Sequence, residues 1–251
     1  MPATLTASNI VVGYHSQHVL RGVNIRLSEG DPPLGLIGPS GVGKTTVVDT
    51  LLGRLRPSQG KVLFNNHDVT RRRGRGAREF RSLVRGVSQD SLSITDPRET
   101  VLTRVQHAQK IARRAGRTHR VSPEELLLSV GLEIDFLPRK TSTLSGGERQ
   151  RLAFATALAT RPSILLLDEP LTAVDPHARR EMTTHLSHTI SQLGTAVLVA
   201  SHDLELIAHL CPEVTFLYDG ELISRDHLPR MMTSPQHPVI ADFATYTPWG
   251  S

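Results

Sequence analysis

Residues Gly38-Pro39-Ser40-Gly41-Val42-Gly43-Lys44-Thr45 run glycine, four residues, then glycine, lysine and threonine. An apolar run, Leu34-Gly35-Leu36-Ile37, leads into them, and residues 46–52 have helical character. Strand, glycine loop and helix in this order leave few folds open to the chain. Glycines let successive backbone N–H groups turn inward as a nest for anionic oxygens, and the helix behind them adds the partial positive charge of its N-terminus. This is the P-loop pattern. It predicts a nucleotide held by Gly38, Pro39, Ser40, Gly41, Val42, Gly43, Lys44, Thr45 and Thr46. Lys44 would reach the β- and γ-phosphates, and the Thr45 hydroxyl would ligate Mg²⁺, a hard cation that suits oxygen.

The chain of 251 residues is long enough for one large domain with a sizeable core. Residues 5–27 alternate loosely and predict two antiparallel strands with a turn at 13–17. Tyr14 lies in that turn and is a candidate platform for adenine, because a flat π-face can lie on a purine. Short strand pieces are expected at 61–64 and 68–69, and a strand at 84–87. Helical patterns occupy 97–116 and begin again at Ser122-Pro123, a cap followed by proline in the first turn. From about 91 to 160 the strand–helix alternation is broken, which reads as an inserted helical subdomain. Alternation resumes with apolar strands at 164–168, 196–200 and 214–218 and helices at 176–193 and 203–210. Continuous apolar strands between helices imply a parallel sheet covered on both faces. The tail from 225 is rich in proline and histidine and reads as loosely structured.

Seven arginines between Arg71 and Arg85 carry most of the net charge of +5. They read as a solvated basic loop, with an anionic surface or an acidic partner as the alternative. Aromatics make up only 4% of the chain, which argues against a stacking platform for single-stranded nucleic acid. Cys211 is the single cysteine, so no internal disulfide forms, and its apolar neighbours predict a buried, inert thiol. The twelve histidines are scattered without metal-ligand spacing. No basic-then-apolar leader and no run of about 18 apolar residues is visible, so a peripheral or cytoplasmic protein is expected.

A second site of chemistry lies at Ile164-Leu165-Leu166-Leu167-Asp168-Glu169. An apolar strand delivers a carboxylate to its C-terminal end, where parallel sheets bind ligands. Asp168 would hold Mg²⁺ there. Glu169, next along the backbone, is placed to polarise an attacking water.

Leu144-Ser145-Gly146-Gly147-Glu148-Arg149-Gln150 resembles the signature sequence of the ABC ATPase family, and the resemblance covers nearly the whole chain. It implies an α/β fold of the P-loop NTPase type. A RecA-like parallel-sheet core with an N-terminal antiparallel β subdomain would occupy about 1–90 and 161–225. The helical subdomain would occupy about 91–160, and a C-terminal tail about 226–251. It implies that Leu144, Ser145, Gly146, Gly147, Glu148 and Gln150 serve the ATP held by the opposite subunit, so that two ATP molecules are sandwiched in a head-to-tail dimer. Tyr14 looks like the adenine-stacking aromatic. Gln89 looks like the loop glutamine that contacts Mg²⁺ and water and links the site to a membrane partner. Asp175 resembles the residue that communicates across the dimer, and His202 the switch histidine that contacts the γ-phosphate and supports Glu169.

The implied function is ATP hydrolysis powering transport through permease subunits. The partners are a second ATPase subunit, identical or related, and an external substrate-binding protein, at the cytoplasmic face of the membrane. Residues 89–101, with Gln89-Asp90, Ser91-Leu92 and Pro97-Arg98, and the tail Ser234-Pro235-Gln236-His237-Pro238 are similar to ATPases of dipeptide, oligopeptide and nickel importers. The alternative is a soluble member acting in DNA repair or in a phosphonate-degrading complex. Neither cysteine pairs nor long heptads support the DNA-repair form, and nucleic acid is not expected as a partner.

Overall fold

The structure, a computed structural model, describes residues 2–14, 17–71, 73–88, 96, 98–114, 116–117, 121–171 and 176–247. In chain order its elements are β1 (Thr4–Tyr14), β2 (Gln17–Ser28), β3 (Leu34–Ile37), α1 (Lys44–Leu51), β4 (Gln59–Phe64), β5 (His67–Asp68), α2 (Arg75–Leu83) and β6 (Val84–Val87). There follow α3 (Val101–Arg114), α4 (Pro123–Leu128), α5 (Gly146–Ala159), β7 (Ile164–Asp168), α6 (Pro176–Leu193) and β8 (Ala196–Ala200). The chain closes with α7 (Leu204–Leu210), β9 (Glu213–Tyr218), β10 (Glu221–Asp226), α8 (Leu228–Thr233) and α9 (Pro238–Thr245).

Two sheets organise these elements. One is antiparallel, in the order β2-β1-β4-β5. The other runs β10-β9-β3-β8-β7-β6, parallel except for β10. Its central strands are buried along their whole length because both faces are covered. Side chains alternate between two cores. Ile164, Leu166 and Leu198 join the core shared with α1 and the antiparallel sheet. Leu165, Leu167, Val197 and Val199 join the core shared with α3, α4, α5, α6 and α7. The order β3-β8-β7 brings the C-terminal ends of three strands side by side, at Ile37, Ala200 and Asp168.

Three expectations change. The tail as far as residue 247 packs on the core: Met231, Met232, Ile240 and Ala244 are buried, and the rings of Phe243 and Phe216 meet edge to face at 5.1 Å. Pro229 and Pro238 sit in the first turns of α8 and α9, where a missing N–H costs nothing, so proline marks helix starts here. Much of the basic segment is helical. α2 buries Ala77 and Phe80, with Phe80 against the edge of Phe64, and turns Arg75, Arg78 and Arg81 to solvent. The strand expected at 61–64 begins earlier, at Gln59, opposite the register shift between Ser8 and Val11. The cap at Ser122 is present, with Glu125 completing a reciprocal capping box. Cys211 is buried, and burial pushes its thiol far above the ordinary range.

Candidate active site

The phosphate loop starts where β3 ends. Gly38 has φ 148°, and a Cβ there would lie 2.3 Å from the Leu217 carbonyl oxygen, so the loop presses on β9 with no room for a side chain. Pro39, Ser40, Gly41 and Val42 make the turn, closed by the Val42 N–H donating to the Pro39 carbonyl. Gly43, at φ 109°, caps α1, with no side-chain cap bond among the described residues. Those donors and the positive end of the helix dipole therefore remain available to an anion. Lys44 and Thr45 open α1, followed by Thr46, whose carbonyl accepts the Thr50 hydroxyl at 2.6 Å. Lys44 is buried and donates to the carbonyls of Gly38 (2.9 Å) and Pro39 (3.1 Å). Burial pushes its ammonium below the ordinary lysine range, while the charges of Glu169 and Asp168 oppose that shift.

Asp168 ends β7 with its side chain buried. Oδ1 has no hydrogen-bond partner among the described residues, and the Thr45 hydroxyl bonds the carboxylate. Burial holds its pKa above the usual carboxylate range. The Thr45 bond opposes this, and the nearby charges of Glu169 and Asp49 add to it. A buried oxygen without a partner, next to a hydroxyl, fits a hard divalent cation. No group of three or more His, Cys, Asp or Glu among the described residues could hold a metal. One carboxylate and one hydroxyl suit Mg²⁺, which binds through one or two protein oxygens and completes its shell with water and phosphate.

Glu169 has φ 48°, a left-handed conformation that costs a non-glycine residue about 1–3 kcal/mol. Its N–H donates to the Ala200 carbonyl at 2.9 Å, fastening β7 to β8 just beyond their last paired residues. The carboxylate is gripped from the end of β8. Oε1 accepts the His202 backbone N–H at 3.1 Å and faces His202 Nδ1 at 2.9 Å, which places a proton on Nδ1. Oε2 accepts the Ser201 hydroxyl at 3.0 Å. The imidazole is 60% exposed and the Glu169 side chain 22%, so the pair is open on one side. A lysine, a cation-ready carboxylate and a fixed second carboxylate at strand ends can bind a polyphosphate and polarise water beside it.

A family model described as ABC transporter matches residues 20–172. The chain belongs to the ABC transporter family. The probable D,D-dipeptide transport ATP-binding protein DdpF of Escherichia coli (strain K12) is 31% identical over 222 residues, spanning 88% of this chain and 68% of that protein. The nickel import ATP-binding protein NikE of Pseudomonas putida is 33% identical over 215 residues, spanning 82% and 75%. Among solved structures, the dimeric post-hydrolysis state of the ATP-binding cassette MJ0796 with ADP and Pi has TM-score 0.73 at 25% identity, covering 89% of this chain and 98% of that one. This ABC cassette is thus an ATP-binding and ATP-hydrolysing subunit that powers a membrane transporter.

The stretch that resembles the ABC signature opens α5. Leu144 is buried and Ser145 caps the helix. The Ser145 hydroxyl accepts the Glu148 N–H at 3.3 Å, and Glu148 Oε2 accepts the Ser145 N–H at 2.7 Å. That N–H, with help from the Ser145 hydroxyl and nearby arginines, holds the Glu148 carboxyl below its usual range. A Cβ on Gly146 would meet nothing within 4 Å, so the start of α5 is open to another molecule; Gly147 follows in the first turn. Gln150 is buried, and its Nε2 donates to the Glu169 carbonyl at 3.3 Å, joining the signature helix to the second carboxylate. Tyr14 closes β1, but its side chain lies outside the described residues, as do Gln89 and Asp175.

Sequence reasoning missed Ser201, which touches the same carboxylate as His202. It also missed Asp203, whose Oδ1 caps α7 at the Leu206 N–H and whose Oδ2 pairs with Arg179 at 2.8 Å. A serine between an apolar strand and a histidine leaves no periodic signal. The cap signal of Asp203 before a short apolar helix was there to be read.

Proposed function

We propose that this cassette works in a head-to-tail pair with a second ATPase subunit, identical or related, and drives an importer of peptides or nickel. The observation that carries the chemical part is the Glu169 carboxylate, clamped by Ser201 and His202 beside Asp168 and Lys44. The names of relatives, which include D,D-dipeptide, oligopeptide and nickel transport, support the substrate class.

In this reading the backbone N–H groups of the loop from Ser40 to Thr46 and the Lys44 ammonium hold the β- and γ-phosphates of ATP, and Tyr14 stacks on adenine. Thr45, Asp168 and Gln89 would hold Mg²⁺, which when bound would neutralise charge developing on the phosphates. Glu169 accepts a proton from water as that water's oxygen bonds to the γ-phosphorus. The bond from that phosphorus to the bridging oxygen breaks, and ADP and phosphate leave. His202 orients Glu169 and reaches the γ-phosphate. Ser145, Gly146 and Gly147 cradle the γ-phosphate held by the opposite subunit, and Asp175 links the two sites. A helical subdomain of about 91–160 and the Gln89 loop receive the permease subunits, with an external binding protein supplying substrate. The cassette is then peripheral, at the cytoplasmic face. Among the described residues no helix is long and apolar enough to cross a membrane.

The test is affinity purification of Glu169→Gln from native membranes with ATP present. A co-purifying multispanning membrane protein is expected, and a second ATPase would settle homodimer against heterodimer. Recovery of nucleic acid or of a soluble enzyme alone would overturn the transport reading.

A further inference from the structure

We infer that Ser201 is a positioning residue for hydrolysis, holding the Glu169 carboxylate in the one orientation in which it can take the proton of the attacking water. The inference rests on the reading of Glu169 as the base. Ser201 follows β8 directly and is 1% exposed, so its hydroxyl reaches the reaction only through Glu169.

The direction of the hydrogen bonds is fixed by chemistry. The Asp203 N–H donates to Ser201 Oγ at 3.1 Å, which occupies a lone pair of the hydroxyl. A carboxylate only accepts, so the hydroxyl proton points at Glu169 Oε2, 3.0 Å away. Consecutive residues therefore hold opposite oxygens of one carboxylate, Ser201 on Oε2 and His202 on Oε1. The terminal torsion of Glu is broad, and His202 restrains it through Oε1. Ser201 adds a hold on Oε2, so rotation breaks charge-assisted hydrogen bonds on both oxygens.

The clamp is itself braced. Asp203 is fixed by its cap on Leu206 and by Arg179 of α6, and this holds its N–H on Ser201. Arg179 sits in the first turn of α6, so a chain of contacts runs from there through Asp203 and Ser201 to Glu169. A base that must stay within hydrogen-bond reach of one water gains from losing this freedom before the reaction begins.

The experiment is steady-state ATPase kinetics of purified Ser201→Ala, Ser201→Thr and Ser201→Cys, each alone and combined with Glu169→Gln. Ser201→Ala should lower kcat about 10- to 100-fold, the size of one hydrogen bond to a charged group, and change KM for ATP by less than about twofold. Ser201→Thr, which restores a hydroxyl, should return kcat to within about threefold of the parent, and Ser201→Cys, of similar size with a weak donor, should fall between. In the Glu169→Gln background, Ser201→Ala should cost nothing further, because the group it serves is already gone. A purely structural role would move KM and melting temperature along with kcat and would stay additive with Glu169→Gln. A kcat for Ser201→Ala within about twofold of the parent, or additive loss in the double variant, overturns the inference while Glu169→Gln is inactive. Wild-type turnover by Glu169→Gln itself overturns the parent reading and the inference with it. If Ser201→Ala does not fold, the Thr and Cys variants decide: equal kcat in the two refutes a role for the hydroxyl.

Discussion

Asp168→Asn should stabilise the nucleotide-free protein and remove its stabilisation by Mg-ATP. Asp168 is 7% exposed and leaves Oδ1 without a partner among the described residues, so the folded state pays to keep the group ionised. Burial raises its folded-state pKa above the unfolded carboxylate value of about 3.9. A raised folded pKa means that the group's contribution to stability is complete below the unfolded value and is lost as pH climbs through the folded value. At neutral pH the nucleotide-free protein therefore bears the full cost. An unsatisfied buried polar atom costs about 1–3 kcal/mol, of which the asparagine amide keeps a share. At about 2–4 °C per kcal/mol for a chain of this size, the variant should melt about 2–6 °C higher in EDTA at pH 7. The gap should close as the buffer is taken below about pH 4, where the native carboxyl is protonated. Adding Mg-ATP should raise the melting temperature of the wild type by several degrees and that of the variant by much less. A variant that melts lower than the wild type without nucleotide, or that gains as much from Mg-ATP, would refute the placement of the cation.

Further outcomes follow from single contacts. Lys44→Ala removes a buried ammonium beside the phosphate loop and should weaken ATP binding about 10- to 100-fold by fluorescence titration with a labelled analogue. Ile240→Ala empties a fully buried site between the tail and the sheet, and should cost about 2–4 kcal/mol in urea unfolding. Loss of less than about 0.5 kcal/mol would mean that the tail is not docked as described.

Much of the site was legible because its chemistry demands residue types that cannot be exchanged. Glycine is required where Gly38 meets the Leu217 carbonyl, and an apolar strand must end in an acid where Asp168 stands. Strands buried on both faces announce themselves as unbroken apolar runs, so β7 and β8 fall at the expected residues. What stayed hidden depends on tertiary contact. The Gln150 bond to the Glu169 carbonyl joins residues 19 apart in sequence and belongs to no local pattern. The Ser201 clamp spans 32 residues. In α2 the apolar pair Ala77 and Phe80 is spaced for a helix, but Gly74, Gly76 and the arginines around them mask it. In the tail, proline and histidine suggested a loose end, whereas proline opens both helices and apolar residues between the polar ones reach the core.

The central claim is that Glu169 takes the proton in a site completed by a second subunit. Its most direct test is single-turnover hydrolysis by purified Glu169→Gln, run beside sizing of the protein with Mg-ATP and nucleotide counting. The account predicts a stable pair holding two ATP molecules, with hydrolysis slowed at least about 100-fold, within the range one acid–base group supplies. A monomer that turns ATP over at the wild-type rate would contradict it.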